Sequence, residues 1–281
     1  MAHHGNKSAA WSKDLFKRAE KELLSEFSWN NWFMDGYWPE NAPRVGLMME
    51  LAMGRWKEGD RALEVGCANG YIAFLLRELG YRVDAVDACE DPDRDKIFAK
   101  KGIKYWETNL NDVEPLADVP DGSYDLLLLG EVFEHILNQP AGLLRNSLRV
   151  LRPGGMMILT TPNPSTVMTA IRVLRDEYVL WGTDEFLRET KVDGGNIIDN
   201  GEIHYREYPA RLVTELMTGI GFKIGGVRYV QMGISKTQTP FKRLFKRLLQ
   251  ATPLASSRLF SPGYVIWAYK DVVASAGPAV H

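Results

Sequence analysis

Apolar residues recur at threes and fours over residues 8–26, where Trp11, Leu15, Ala19, Leu23 and Leu24 share one face of a predicted helix. The next stretch, FSWNNWFMDGYWPENAPRV, is aromatic and broken by Gly36, Pro39 and Pro43. It reads as a loop or short-helix lid, followed by a helix through about Trp56. From Arg61 a regular alternation begins, predicting strands at 61–66, 82–87, 103–108, 124–130 and 155–161 with helices at about 70–79, 92–101 and 139–150. Strands alternating with helices imply parallel βαβ units in a doubly wound sheet. The fourth strand, YDLLLLG, is continuously apolar, as a strand buried on both faces must be. RPGG at 152–155 reads as the stop between a helix and the fifth strand.

Beyond TTPNP the pattern loosens. A helix is predicted at 165–180, then the Gly/Asp/Asn-rich VDGGNIIDNG, a helix at 209–218, a GIGF turn and a strand at 222–230. A second irregular segment, 231–262, holds a short helix near 240–250 and precedes a last strand, YVIWAYK, at 264–270. The predicted organisation is one α/β domain. Residues 1–56 form a helical cap with an aromatic lid, residues 57–272 the core with insertions at 164–207 and 231–262, and 273–281 a disordered tail.

The chain of 281 residues is 45% hydrophobic, enough for one large core, and its net charge of −2 argues against wholesale nucleic-acid binding. Cys67 and Cys89 belong to no CxxC or Cys/His cluster, so a reducing cytoplasm is expected and a disulfide framework is not. No stretch is long and apolar enough to span a bilayer, and the N-terminal residues lack the apolar core of a secretory signal. No Asp/Glu/His spacing marks a metal site, so no metal is expected; His3 and His4 are set aside as tail residues. The oligomeric state, monomer or homodimer, is open.

The densest chemical signal is RALEVGCANGY at 61–71. A strand feeding a helix through a glycine turn presents backbone N–H groups and the positive end of a helix dipole to a ligand. The G-x-G-x-x-G spacing of a dinucleotide site fails, because Ala68 and Tyr71 occupy the two later places, and no Lys follows Gly70 as a phosphate loop requires. The pattern that fits is E-x-G-x-A-x-G with an acid, Asp87, 17 residues after Gly70 at the tip of the second strand. Such an acid accepts two hydrogen bonds from a ribose diol. Ala68 is expected to be tolerated at a negative φ with its Cβ pointing away from the ligand.

Five segments in order, LEVGCANGY, VDAVD, TNLNDVEPLADVPDGSYDLLLLGEVFEHI, LRVLRPGGMMILTTPN and HYREYPARLVTELMTGIGF, make the chain resemble the class I S-adenosylmethionine-dependent methyltransferases, in particular the ubiquinone-biosynthesis-type branch that methylates small molecules. The resemblance implies a Rossmann-like, doubly wound, seven-stranded, mostly parallel sheet with an antiparallel last strand, S-adenosylmethionine as cofactor and S-adenosylhomocysteine as product. It places Gly66, Ala68 and Gly70 around the methionine part of the cofactor, with Glu64 orienting that loop. Asp87 would take the ribose hydroxyls, Ala88 would flank the adenine and Asn109 would meet its amino group, with the backbone N–H of Leu110 on the ring nitrogen. Asn111 or Asp112 could take the place of Asn109. Gly130 and Glu131 would lie near the transferred methyl.

Methyl transfer from a sulfonium is an in-line displacement that mainly needs positioning, with a base only where the nucleophile must lose a proton. His204, His135 and Glu131 are the candidates, each with a competing structural or cofactor-contact role. Tyr37, Trp38 and Tyr205 are the candidate acceptor contacts; the aromatics Trp29, Trp32, Phe33, Tyr37 and Trp38 either close over the site or dock the cap on the sheet. In TPFKRLFKRLLQATP, Phe241, Leu244, Phe245, Leu248 and Leu249 oppose Lys242, Arg243, Lys246 and Arg247. Such a helix can lie on an anionic membrane, receive a phosphorylated group or pack on the sheet edge. The expected reaction is methylation of a hydroxyl on a small-molecule acceptor, with N- or C-methylation, or cofactor binding without catalysis, as alternatives; nucleic acid is not expected as a partner.

Overall fold

The computed structural model describes residues 8–55, 57–88, 91–177, 191–193, 196–198 and 204–272. Helix α1 (Ser8–Glu26) leads through a π-helical turn (Phe33–Tyr37) directly into α2 (Trp38–Met53). The core then runs β1 (Arg61–Val65), α3 (Tyr71–Glu78), β2 (Arg82–Asp87), α4 (Pro92–Lys101), β3 (Lys104–Glu107) and β4 (Tyr124–Gly130). A 3-10 turn (Phe133–His135), α5 (Pro140–Val150), β5 (Leu151–Pro162) and α6 (Val167–Leu174) follow. Next come a small antiparallel pair, β6 (Lys191–Asp193) and β7 (Asn196–Ile198), then α7 (Ala210–Ile220), β8 (Phe222–Val230), α8 (Pro240–Gln250) and β9 (Gly263–Lys270). The main sheet has seven strands in the order β3-β2-β1-β4-β5-β9-β8. Strands β1 to β5 pair in parallel, and β9 inserts antiparallel between β5 and β8.

The apolar run of β4 is explained by its two faces. Leu126 and Leu128 pack with Ala62, Met48 and Phe74 beneath α2 and α3, while Leu127 and Leu129 pack with Leu63, Leu143 and Val213 beneath α5 and α7. Each fully buried leucine contributes on the order of 2 kcal/mol. Helix α4 starts at Asp91, whose side chain accepts from the N–H groups of Asp93 and Arg94, and ends at left-handed Gly102.

Three local expectations change. RPGG is not a gap before the fifth strand: β5 starts at Leu151, opposite Tyr124, and pairing resumes at Met156 opposite Leu126. The intervening residues bulge, and a Cβ on Gly155 would lie 2.9 Å from the Arg152 carbonyl and 3.1 Å from that of Tyr124. The helix predicted at 165–180 stops at Leu174, followed by a turn at 175–176. VDGGNIIDNG, read as irregular, contributes to the β6–β7 pair. Residues 178–190, Trp56, Cys89, His3, His4 and the 273–281 tail lie outside the described residues.

The added segments hold one another. Gly233 N–H donates to the Glu40 carbonyl at 2.7 Å, Gln238 donates to the Glu40 carboxylate at 2.7 Å and Lys236 pairs with Asp35 at 2.7 Å, so the 231–262 segment is fastened to α2 and the π-helical turn. Asn163, just after β5, donates to the carbonyls of Arg258 and Ser261, and Val167 N–H donates to Leu259. No helix among the described residues is long and apolar enough to cross a membrane.

Candidate active site

The loop between β1 and α3 is shaped by positive φ. Gly66 has φ +74° and Gly70 φ +79°. A Cβ on Gly66 would come 2.3 Å from Val132, and one on Gly70 would come 2.5 Å from the Phe98 ring. Only glycine satisfies both the angle and the space. Ala68 also lies at positive φ, +43°, which corrects the expected negative value. Two hydrogen bonds hold it there. Its N–H donates to Asp87 Oδ2 at 2.7 Å, and its carbonyl accepts from buried Arg94 at 2.8 Å. Glu64 is buried beneath the loop and accepts from the Ala73 N–H at 2.6 Å, so it anchors the first turn of α3. Burial pushes its pKa well above the ordinary carboxylate value, against that hydrogen bond.

Asp87 ends β2 with each carboxylate oxygen oriented by a backbone N–H, Oδ2 by Ala68 and Oδ1 by Ala88, both at 2.7 Å. A carboxylate has about four acceptor positions, so these two contacts leave room for further donors. Asn109 is exposed and turns its side chain back onto the Asn111 N–H at 2.9 Å. Asn111 ties its loop to the segment after the 3-10 turn, accepting from Leu137 N–H at 2.7 Å and donating to the His135 carbonyl. The Leu110 side chain is buried in the core.

At the end of β4, Gly130 pairs with Thr160, and Glu131 turns outward at φ +56°. Its Oε1 accepts from Thr160 Oγ1 at 2.9 Å and lies 3.5 Å from the Arg44 guanidinium. Arg44 also donates to Thr160 and Asn41. Its burial would lower its pKa, but Glu131, then Tyr71 and Tyr37, outweigh burial and hold it above its ordinary value. Arg44 was not among the sequence candidates. The available signal was a cation on the buried stripe Asn41, Arg44, Val45, Met48 of α2. The neighbouring strand residue Thr161, on the opposite face of β5, donates to Glu134 Oε2 at 2.8 Å. Glu134 is fully buried, and burial followed by the charge of Glu131 pushes its pKa well up.

The two candidate histidines meet. The ring centroids of His135 and His204 are 4.9 Å apart, and His204 Nδ1 lies 3.2 Å from Glu207 Oε1. What brings them together is backbone: the N–H groups of Tyr205 and Arg206 both donate to the Glu134 carbonyl. Tyr205 is therefore fixed beside the 3-10 turn through its main chain.

The aromatic run divides. Trp29 stacks on Phe33 at 3.7 Å, and Phe33 on Trp38 at 5.9 Å. Trp38 is 5% exposed and donates from its indole to Glu20, so its ring docks α2 on α1. Tyr37 is half-buried beneath exposed Trp32 and bonds hydroxyl to hydroxyl with Tyr71 at 3.1 Å, beside Arg44. Of the pair, Tyr37 is the one at the strand ends.

A doubly wound sheet with β9 inserted antiparallel, a glycine loop after β1 and an acid at the tip of β2 are the features of a Rossmann-like methyltransferase of class I. The chain belongs to a methyltransferase-domain family, which it matches over residues 25–224. It is 28% identical over 183 residues to the ubiquinone biosynthesis O-methyltransferase of Xanthomonas oryzae pv. oryzae, covering 63% of this chain and 66% of that protein. It is 31% identical over 168 residues to the protein of the same name from a Caulobacter species, covering 54% and 66%. The chain thus spans 66% of the length of these curated relatives. Its fold is that of an S-adenosylmethionine-dependent methyltransferase from Archaeoglobus fulgidus, with TM-score 0.53, 17% identity and coverage of 86% of this chain and 100% of that one.

S-adenosylmethionine is the cofactor of this class, and the residues fit it. The oriented Asp87 carboxylate and the buried Arg44 cation are complementary in chemistry to a ribose diol and a carboxylate.

Proposed function

We propose that this chain methylates a hydroxyl oxygen of a small molecule, such as a quinone precursor, a natural product or a sugar. The observation that carries this reading is the grouping of Glu134, His135 and His204 just beyond Glu131 at the end of β4. A hydroxyl must give up its proton as it gains a methyl, so it needs basic groups at this place, whereas an amine that is already neutral does not. Bound S-adenosylmethionine supplies a methyl on a cationic sulfur that departs as a neutral thioether. Arg44 and Asp87 hold opposite ends of the cofactor, and the glycine loop aligns it. Glu131, fixed by Thr160, borders the transferred methyl, and the histidine pair receives the acceptor proton. Tyr37 and the fastened cap segments exclude water. The O-methylation in the names of the curated relatives supports an oxygen acceptor.

We further infer that α8 rests on an anionic membrane surface, which brings a lipid-linked acceptor to the site. Phe241, Leu244, Phe245 and Leu248 are exposed on one stripe, flanked by exposed Lys242 and Arg247. An apolar stripe bordered by cations is complementary to acyl chains beneath anionic headgroups.

The test is methyl transfer to a panel of phenols, sugars and amines. Product on a hydroxyl is expected, with His204→Asn lowering kcat/KM by about 100-fold or more. Product on nitrogen or carbon alone, or no product with any acceptor, overturns the reading.

A further inference from the structure

We propose that Tyr71 and Tyr37 are positioning residues, whose bonded hydroxyls hold the Arg44 guanidinium in line for the carboxylate of the cofactor. The inference rests on the reading above that Arg44 takes that carboxylate. Tyr37 closes the π-helical turn, and α2 continues from it without a break. Arg44 lies about two helical turns further on and so shares its face. Asn41 stands between them on that face. Its amide donates to the Tyr37 carbonyl at 3.0 Å, and its oxygen accepts from Arg44 Nη2 at 3.0 Å.

Tyr71 comes from the core. It is the first residue of α3, directly after Gly70, and therefore carries the position of the cofactor loop. It is 6% exposed, and its ring meets Phe33, Tyr37 and Trp38 edge-on with centroids 5.9 to 6.2 Å away. Packing on three rings fixes where its hydroxyl points. That hydroxyl is 3.1 Å from the Tyr37 hydroxyl and lies beside Arg44. Burial, then Tyr37, hold the Tyr71 phenol well above its ordinary pKa, so it stays neutral with a proton to donate. A guanidinium only donates. The Tyr71 oxygen therefore turns a lone pair to Arg44 and its proton to Tyr37.

Arg44 needs such a hold because an internal anion competes for it. A Cβ on Gly130 would lie 3.7 Å from Arg44 Nη1, so the guanidinium stands at the end of β4. Glu131 is 3.5 Å from the same nitrogen. Thr160 and Asn41 take two of its donors and leave others for an incoming carboxylate. Without the Tyr71 oxygen the guanidinium closes on Glu131 and is lost to the cofactor.

The experiment compares two ligands on the whole chain by calorimetry. S-adenosylhomocysteine carries the carboxylate; 5′-methylthioadenosine keeps the adenosine and thioether and lacks the amino-acid end. Tyr71→Phe and Tyr37→Phe are each expected to lower S-adenosylhomocysteine affinity about 10-fold, the loss of a hydrogen bond to a charged group, and to leave methylthioadenosine affinity unchanged. The double variant is expected to lose about the same 10-fold, since both changes break one bridge. A merely structural role lowers both affinities together, and that outcome overturns the proposal. So does a loss of about 100-fold in the double variant, which means two independent contributions. Unchanged S-adenosylhomocysteine affinity in both single variants, while Arg44→Gln lowers it, leaves Arg44 as the carboxylate seat and removes the bridge. Unchanged affinity in Arg44→Gln as well removes the seat and the bridge together. Should Tyr71→Phe unfold by circular dichroism, half-buried Tyr37→Phe decides alone.

Discussion

At Gly66 a Cβ would collide with Val132 at 2.3 Å, whereas Ala68, at a similar φ, is exposed. The two positions therefore respond oppositely to substitution. Gly66→Ala is expected to cost about 1–3 kcal/mol through backbone strain and to lower S-adenosylmethionine affinity more than tenfold by calorimetry. Adding Val132→Ala removes the collision but not the strain, so affinity recovers only in part. Ala68→Gly gains about 1 kcal/mol by relieving strain and loses roughly 0.5–1 kcal/mol to the more flexible unfolded chain. Its melting temperature and affinity stay near those of the parent. Small-residue spacing in the sequence shows where the loop is. It does not show the sign of φ at Ala68, because the groups that hold it, Asp87 and Arg94, arrive from β2 and α4.

Elements are legible where burial is periodic and less so where distant segments complete them. The strands and helices from Arg61 to Val150 follow their apolar spacing, since each buries a defined face. The bulge in β5 escapes such a reading: Gly154 and Gly155 look like a stop, yet the chain stays in the sheet by pairing across the irregularity. The cap contacts escape it too. Gly233 faces the carbonyl of Pro39, and a Cβ there would sit 1.9 Å from that oxygen. Backbone against backbone leaves nothing flexible to yield. Gly233→Ala is expected to detach the 231–262 segment from α2, breaking the bonds to Glu40. Hydrogen exchange should rise over 33–42 and 233–246 while the amides of β1, β4 and β5 stay protected. A simultaneous loss of protection in those strands would mean that the cap is part of the core.

Over the whole molecule, most of the cofactor side of the site follows from the order of sequence motifs, while Arg44 and the acceptor side depend on the segments added to the core. Glu64, Gly66, Asp87 and Gly130 sit on β1, β2 and β4, which are neighbours in the sheet, and on the turn after β1, so the strand order brings them to one edge. Arg44 comes from the cap and His204 from the end of an insertion, and only tertiary contacts bring each beside the end of β4. The same additions expose α8, whose apolar residues have no described core residue over them. Phe241 is 78% exposed and Leu248 62%. A stripe of this kind costs solubility unless it meets a partner. Lys246 is not part of the cationic flank, because it turns inward to the Gly233 carbonyl at 3.1 Å. The flank is Lys242, Arg243 and Arg247. If α8 meets an anionic membrane, the chain co-sediments with vesicles containing phosphatidylglycerol at low salt and less with neutral vesicles, each basic residue adding about 1 kcal/mol near the charged surface. Phe241→Ser with Phe245→Ser abolishes the residual binding that survives high salt, and Lys242→Glu with Arg247→Glu abolishes the salt-sensitive part. Methyl transfer to a water-soluble acceptor is unchanged in both variants, since neither pair touches the strand ends. Equal sedimentation of parent and variants, or no sedimentation of the parent at low salt, removes the membrane from this account and leaves the exposed stripe to a protein partner.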